Sequence, residues 1–221
     1  MNCKIVGYEY KTLEVILSPG ESFYTERGSL VYVDSKLTRE VEMTNGSGRG
    51  FGDMLLGAVK SALSGENILI VKVSNQTNHD LKMVLSGRLS SLVPVKLQGE
   101  SFVCRRGHYV ASTSKVQVGL RLSAHGFLGG MGALFQKVEG NATVFLDSIG
   151  SPIEKRLESN ETIEVDENHI VALQGIDPMH VQAGWTIGNI LHGEGLSMMK
   201  ITGPGNVILS PLSLFVSKAG S

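Results

Sequence analysis

The sequence predicts an all-β protein assembled from three diverged copies of one unit. Three observations carry this expectation: abundant glycine without abundant proline, short apolar runs punctuated by turn residues, and a four-residue motif that recurs three times at a fixed distance from a turn.

Of 221 residues, 27 are glycine and six are proline, and no Gly-X-Y period is present. The glycines therefore read as tight turns, not as collagen or disorder. Hydrophobic residues make up 42% and charged residues 19%, enough apolar surface for a sizeable core. Twenty basic and 21 acidic residues mix along the chain and leave a net charge of −1. Nucleic acid, whose phosphates need a basic face, is not an expected partner. Cys3 and Cys104 suit neither a disulfide framework nor a zinc site, so a reducing cytoplasm is the expected location. Met1 to Val15 carries Lys4, Glu9, Lys11 and Glu14 in a strand-like pattern, without the apolar stretch of a signal peptide. No window approaches the roughly 20 apolar residues of a spanning helix, so any membrane contact is expected to be peripheral.

The repeat emerges when the chain is set against itself. Gly20-Glu21-Ser22-Phe23 recurs as Gly99-Glu100-Ser101-Phe102 and, weakened, as Asn160-Glu161-Thr162-Ile163. Seven residues after each glutamate stand Gly28, Gly107 and Asn168, followed by the apolar triplets Leu30-Val31-Tyr32, Tyr109-Val110-Ala111 and Ile170-Val171-Ala172. A three-residue hairpin loop commonly places its third residue at positive φ, where glycine is unstrained and asparagine tolerated. Gly28, Gly107 and Asn168 are accordingly expected at positive φ, closing the loops Glu26-Arg27-Gly28, Arg105-Arg106-Gly107 and Asp166-Glu167-Asn168.

The second half of each unit also repeats. Ile68-Leu69-Ile70-Val71-Lys72-Val73-Ser74 corresponds to Ala133-Leu134-Phe135-Gln136-Lys137-Val138-Glu139 and to Leu196-Ser197-Met198-Met199-Lys200-Ile201-Thr202. Lys72, Lys137 and Lys200 fall in register, most simply as solvent-facing edge residues. A closing strand follows in each unit: Leu81 to Leu85, Ala142 to Leu146 and Asn206 to Leu209. Between the halves lie glycine-rich apolar stretches, of which the first spaces Leu55, Val59 and Leu63 for a short helix. The units are expected at approximately 8–88, 89–150 and 151–216. Each is too small to be robust alone and no linker separates them, so 1–221 is expected to form a single compact body with pseudo-threefold symmetry. Such symmetry would gather an apolar patch from the glycine-rich stretches, with Leu55, Leu56, Phe127, Leu128, Trp185 and Ile187 as candidate contact residues.

Pro19-Gly20-Glu21-Ser22, Gly28 to Val33, Ala62-Leu63-Ser64-Gly65-Glu66, Arg105-Arg106-Gly107, Gly193-Glu194-Gly195-Leu196 and Thr202-Gly203-Pro204-Gly205 also carry a family resemblance. From about Val15 to Leu209 the chain resembles prokaryotic relatives of the mitochondrial-biogenesis "altered inheritance of mitochondria" family, a domain of unknown function. The resemblance implies a β-sandwich like that of the tryptophan RNA-binding attenuation protein, present three times and often oligomeric. It implies a role near membranes and supplies no catalytic residues.

Candidate chemistry is sparse. The histidines His79, His108, His125, His169, His180 and His192 lack metal-ligand spacing, although His108 and His169 align in the repeat where the first unit has Ser29. Gly46-Ser47-Gly48 is not a nucleophile elbow, and no Walker-type phosphate loop is present. Glu21, Glu100 and Glu161 could form an acidic cluster on a threefold axis, though a turn-closing role is simpler. No catalytic residue, metal or cofactor is expected. The expected function is that of a non-enzymatic, homo-oligomeric scaffold or binding protein, acting through protein or membrane-surface contacts. RNA recognition by fold analogy, and a small-molecule- or metal-binding protein of the double-stranded β-helix kind, are the alternatives.

Overall fold

Leu13, Val15 and Leu17 are fully buried, while Glu14 and Ile16 between them reach solvent. This two-residue period marks a strand with one face on a core. It is one of seventeen strands among the described residues of the computed structural model, which are 1–43, 69–89, 91–120, 135–176, 180–187 and 196–213.

The first third holds β1 (Asn2–Val6), β2 (Thr12–Leu17), β3 (Ser22–Glu26), β4 (Leu30–Val33), β5 (Thr38–Met43), β6 (Leu69–Ser74) and β7 (Leu81–Ser86). The middle third holds β8 (Ser91–Arg105), β9 (Tyr109–Ser112), β10 (Gln117–Leu120) and β11 (Phe135–Ser148). The last holds β12 (Ile153–Leu157), β13 (Thr162–Asp166), β14 (Ile170–Gln174), β15 (Val181–Ile187), β16 (Leu196–Thr202) and β17 (Gly205–Leu209). The protein is all-β, and every strand pair among the described residues is antiparallel.

The pairing pattern recurs along the chain. β2 pairs β7, and β12 pairs β17. β3 pairs β6, and β13 pairs β16. In the middle third, the 15-residue β8 and the 14-residue β11 make both pairings at once, with a register shift between Glu139 and Asn141. β4 then adds to β7, β9 to β11 and β14 to β17. Finally, β5 adds to β6, β10 to β11 and β15 to β16.

These pairs assemble into a four-stranded sheet, β1-β2-β7-β4, and a three-stranded sheet, β13-β16-β15. A long central sheet contains β12-β17-β14-β8-β11-β9-β3-β6-β5, with β10 branching from β11. Core residues are shared across the thirds. Val110 and Phe145 pack with Leu13, Phe23 and Met83, and Val171 and Ile208 pack with Val95, Phe102 and Tyr109.

Turn chemistry explains the ends of the strands. Gly20, Gly99 and Asn160 have φ of +80°, +89° and +67°, so the shared motif puts the same left-handed residue in each third. Asn160 is the positive-φ residue other than glycine among the described residues. Gly28 and Gly107 have φ of +95° and +83°. Asn168 departs from the expectation: it lies in a 3₁₀ turn, Glu167–His169, and not at positive φ. The Asp166 carboxylate accepts from the Asn168 backbone N–H at 2.9 Å and from its side-chain amide at 3.1 Å. A turn closed by a side chain in this way needs no left-handed residue.

Candidate functional site

Two of the three aligned glutamates close turns. Glu21 Oε2 accepts from the Ser18 N–H at 2.8 Å, and Glu161 Oε2 accepts from the Glu158 N–H at 2.9 Å. Glu21 also meets the N-terminal ammonium, and Glu161 meets Lys155; those hydrogen bonds hold both carboxyls below the ordinary range. Glu100 instead accepts from Gln174 Nε2 at 3.2 Å. The aligned lysines lie on strands paired on both sides and not on edges as expected: Lys72 stands between Glu40 and Tyr24, Lys200 between Glu164 and Gln182, and Lys137 between Gly119 and Val103, where it pairs with Glu139.

A polar cluster with a buried centre forms where the first and middle thirds meet. His108 follows the Arg105-Arg106-Gly107 turn, and Asp147 lies near the end of β11. The Asp147 N–H donates to His108 O at 2.6 Å, and His108 Nδ1 lies 2.6 Å from Asp147 O. A carbonyl can only accept, so Nδ1 carries the proton and Nε2 is left as a bare acceptor. Nε2 is buried and has no partner among the described residues. Burial lowers the basicity of His108, against the opposing pull of the Asp147 carbonyl.

The Asp147 carboxylate turns the other way. It accepts from the Arg88 N–H at 2.5 Å and from the Leu89 N–H at 3.1 Å. Burial pushes its pKa up to about 6, with those amide bonds opposing. Arg88 also pairs with Glu26 at 3.0 Å, and burial raises the Glu26 carboxyl while Arg88 lowers it. The histidine therefore meets a carbonyl, and the carboxylate meets amides. This is a clamp between strands; it lacks the carboxylate-to-imidazole bond of a catalytic triad.

The same main-chain bond recurs elsewhere. Ser210 N–H donates to His169 O at 2.7 Å and His169 Nδ1 lies 2.7 Å from Ser210 O, while Ser86 N–H donates to Ser29 O at 2.9 Å. At the junction of the middle and last thirds, Arg105 donates to Glu167 O at 2.8 Å and to Asn168 Oδ1 at 3.1 Å.

Cys104 is fully buried and burial pushes its thiol up to about 12, so it is a packing residue and not a nucleophile. Among the described residues, no group of three or more His, Cys, Asp or Glu is placed to hold a metal, and no helix is long and apolar enough to cross a membrane.

Gly28 and Gly107 occupy hairpin turns. Leu55, Leu56, Phe127 and Leu128 lie outside the described residues, as do the expected short helix and the gathering of the apolar stretches. Trp185 and Ile187 lie on β15. Sequence reasoning missed Asp147 and its partners. The available signal was an acidic residue ending the apolar run Val144-Phe145-Leu146, where a buried strand position needs partners.

Comparison with known proteins is consistent with this architecture. An uncharacterized protein of Streptococcus pyogenes serotype M6 is 27% identical over 212 residues, covering 93% of this chain and 83% of its own. An X-ray crystal structure of a Streptococcus pyogenes protein superposes with a TM-score of 0.71 at 25% identity, covering 96% of this chain and 94% of that one. Residues 3–212 match the sequence profile described as Mitochondrial biogenesis AIM24, and the chain belongs to that family.

Proposed function

We propose that the chain is a non-enzymatic scaffold built from three diverged copies of one β unit. It self-associates and acts in the cytoplasm through protein or peripheral membrane contacts. The observation that carries this reading is a division of labour between polar and apolar groups. The buried His108 and Asp147, with half-buried Glu26 and surface-exposed Arg88 beside them, are engaged in holding strands together. Large apolar side chains, in contrast, stand exposed on edges and turns: Tyr8, Tyr10, Val31, Tyr32, Val41 and Ile153. The balanced charge weighs against RNA as the partner.

Membrane contact falls to the apolar residues Leu55, Leu56, Phe127, Leu128, Trp185 and Ile187. Few basic residues flank them, so lipid binding should depend on apolar burial and respond weakly to salt. Flotation on neutral and anionic vesicles, beside a salt-dependent RNA titration, tests the reading. Wild-type flotation that Leu55→Asp and Leu128→Asp abolish, without change in the protein's mass, supports a membrane contact. Tight RNA binding with a steep salt slope replaces the scaffold reading with a nucleic-acid one.

A further inference from the structure

Within the chain, successive thirds join edge to edge in one register, and that junction is made twice. β3 pairs β9 with Thr25 opposite Ala111 and Tyr24 opposite Ser112. β8 pairs β14 with Cys104 opposite Ala172 and Val103 opposite Leu173. Thr25 and Cys104 occupy the same place in the repeated motif, as do Ala111 and Ala172. The first strand therefore always comes from the Gly-Glu-Ser-Phe hairpin arm of one third, and the second from the returning arm of the next.

Among the described residues, two arms remain over. β4, the returning arm of the first third, pairs β7 and ends the four-stranded sheet; β13, the outgoing arm of the last third, pairs β16 and ends the three-stranded sheet.

The apolar surface of β4 shows what such a junction covers. In each third the returning arm has a register irregularity that leaves one valine unpaired: Val31, Val110 and Val171. Val110 and Val171 are 2% and 0% exposed, and their neighbours Ala111 and Ala172 are both 0% exposed. Val31 is 57% exposed and the adjacent Tyr32 is 50% exposed. An unpaired edge carrying exposed apolar side chains is a template for strand addition.

We propose that β13 of one copy adds antiparallel to β4 of a second copy, with Val165 opposite Tyr32 and Glu164 opposite Val33. This merges the three-stranded sheet of one chain with the four-stranded sheet of the next, in the register the chain already uses twice. Charge is complementary as well. Arg105 reaches the Glu167 and Asn168 tip of the following hairpin at the internal junction. Those acceptors are neutral, with the Glu167 and Asp166 carboxylates near enough to favour the Arg105 charge; at the open ends the corresponding residues are Asp166 and Arg27, which carry opposite charges. The contact is head-to-tail, so it ends only by closing into a ring. This inference rests on the self-associating scaffold reading and names the surface that would carry it.

The test is a mixed disulfide experiment. One preparation carries Tyr32→Cys, a second carries Val165→Cys, and a third carries both; wild type controls for Cys3. Directly opposed strand residues lie within disulfide reach. After mild oxidation, the mixture of the two single variants should give a reducible species of twice the 23.7 kDa chain mass, absent from either variant alone. Cross-linking of the double variant solely within one chain would mean that the two edges close on each other, and would overturn the proposal. Failure of the mixture to cross-link while wild type remains oligomeric would place the interface elsewhere and leave the scaffold reading standing. A monomeric wild type would remove both. Val31→Lys supplies a readout independent of cysteine: it lies on an exposed site, and should lower the mass to one chain while leaving the thermal unfolding of that chain intact. An unchanged mass contradicts the proposal.

Discussion

The carboxylate of Asp147 occupies the space that a Cβ on Gly87 would need: Oδ1 would lie 2.1 Å from that carbon. Gly87 thus lets the chain pass close enough for the Arg88 and Leu89 amides to bind the carboxylate. Gly87→Ala should force the carboxylate away and cost about 1–3 kcal/mol of stability. The urea midpoint should fall at unchanged slope; a midpoint equal to that of wild type would show that the close approach is not needed.

His108 and Asp147 should impose opposite pH dependences. The folded value of His108 lies below 6.5, so the unfolded chain takes up the proton first and stability falls as pH drops below 6.5. The folded value of Asp147 is about 6 against an ordinary 3.8, so the folded chain binds the proton more tightly and stability rises as pH falls between those values. In Asp147→Asn the compensation is lost, and acid destabilisation between pH 6 and 4 should steepen relative to wild type. His108→Asn should shift the slope in the opposite sense. Identical pH–stability curves for all three proteins would contradict this assignment.

Turn substitutions should separate the two kinds of hairpin. An added Cβ at Gly28 meets nothing within 4 Å, so Gly28→Ala carries backbone strain alone, about 1 kcal/mol at φ +95°. Asn160→Gly should be neutral or slightly stabilising, since Asn160 already has positive φ. Asn168→Gly should destabilise by roughly 0.5–1.5 kcal/mol, because it removes side-chain bonds to Asp166 and Arg105 and relieves no strain. A gain in stability at position 168 would return Asn168 to the left-handed class.

Local chemistry explains how much of this fold was legible in the sequence. The Gly-Glu-Ser-Phe motif and its copies mark turns because glycine and asparagine tolerate positive φ wherever they occur. Asn168 misled because Asp166, two residues earlier, offers a competing side-chain turn that spacing alone does not rank. The length of β8 was also hidden: Gln98-Gly99-Glu100 carries the motif that ends β2 and β12, yet here the strand continues through Gly99. The Asp147 clamp depends on Arg88, 59 residues away, and a contact of that range follows from strand pairing, not from composition.

The solution mass tests the central claim most directly: that the edge left over on β4 is covered by β13 of another copy. Sedimentation equilibrium of wild type at micromolar concentration should give a whole-number multiple of 23.7 kDa, and Tyr32→Glu should reduce it to a single chain with unchanged strand content. A wild type that sediments as a 23.7 kDa monomer, or a Tyr32→Glu variant that retains the wild-type mass, would contradict the account.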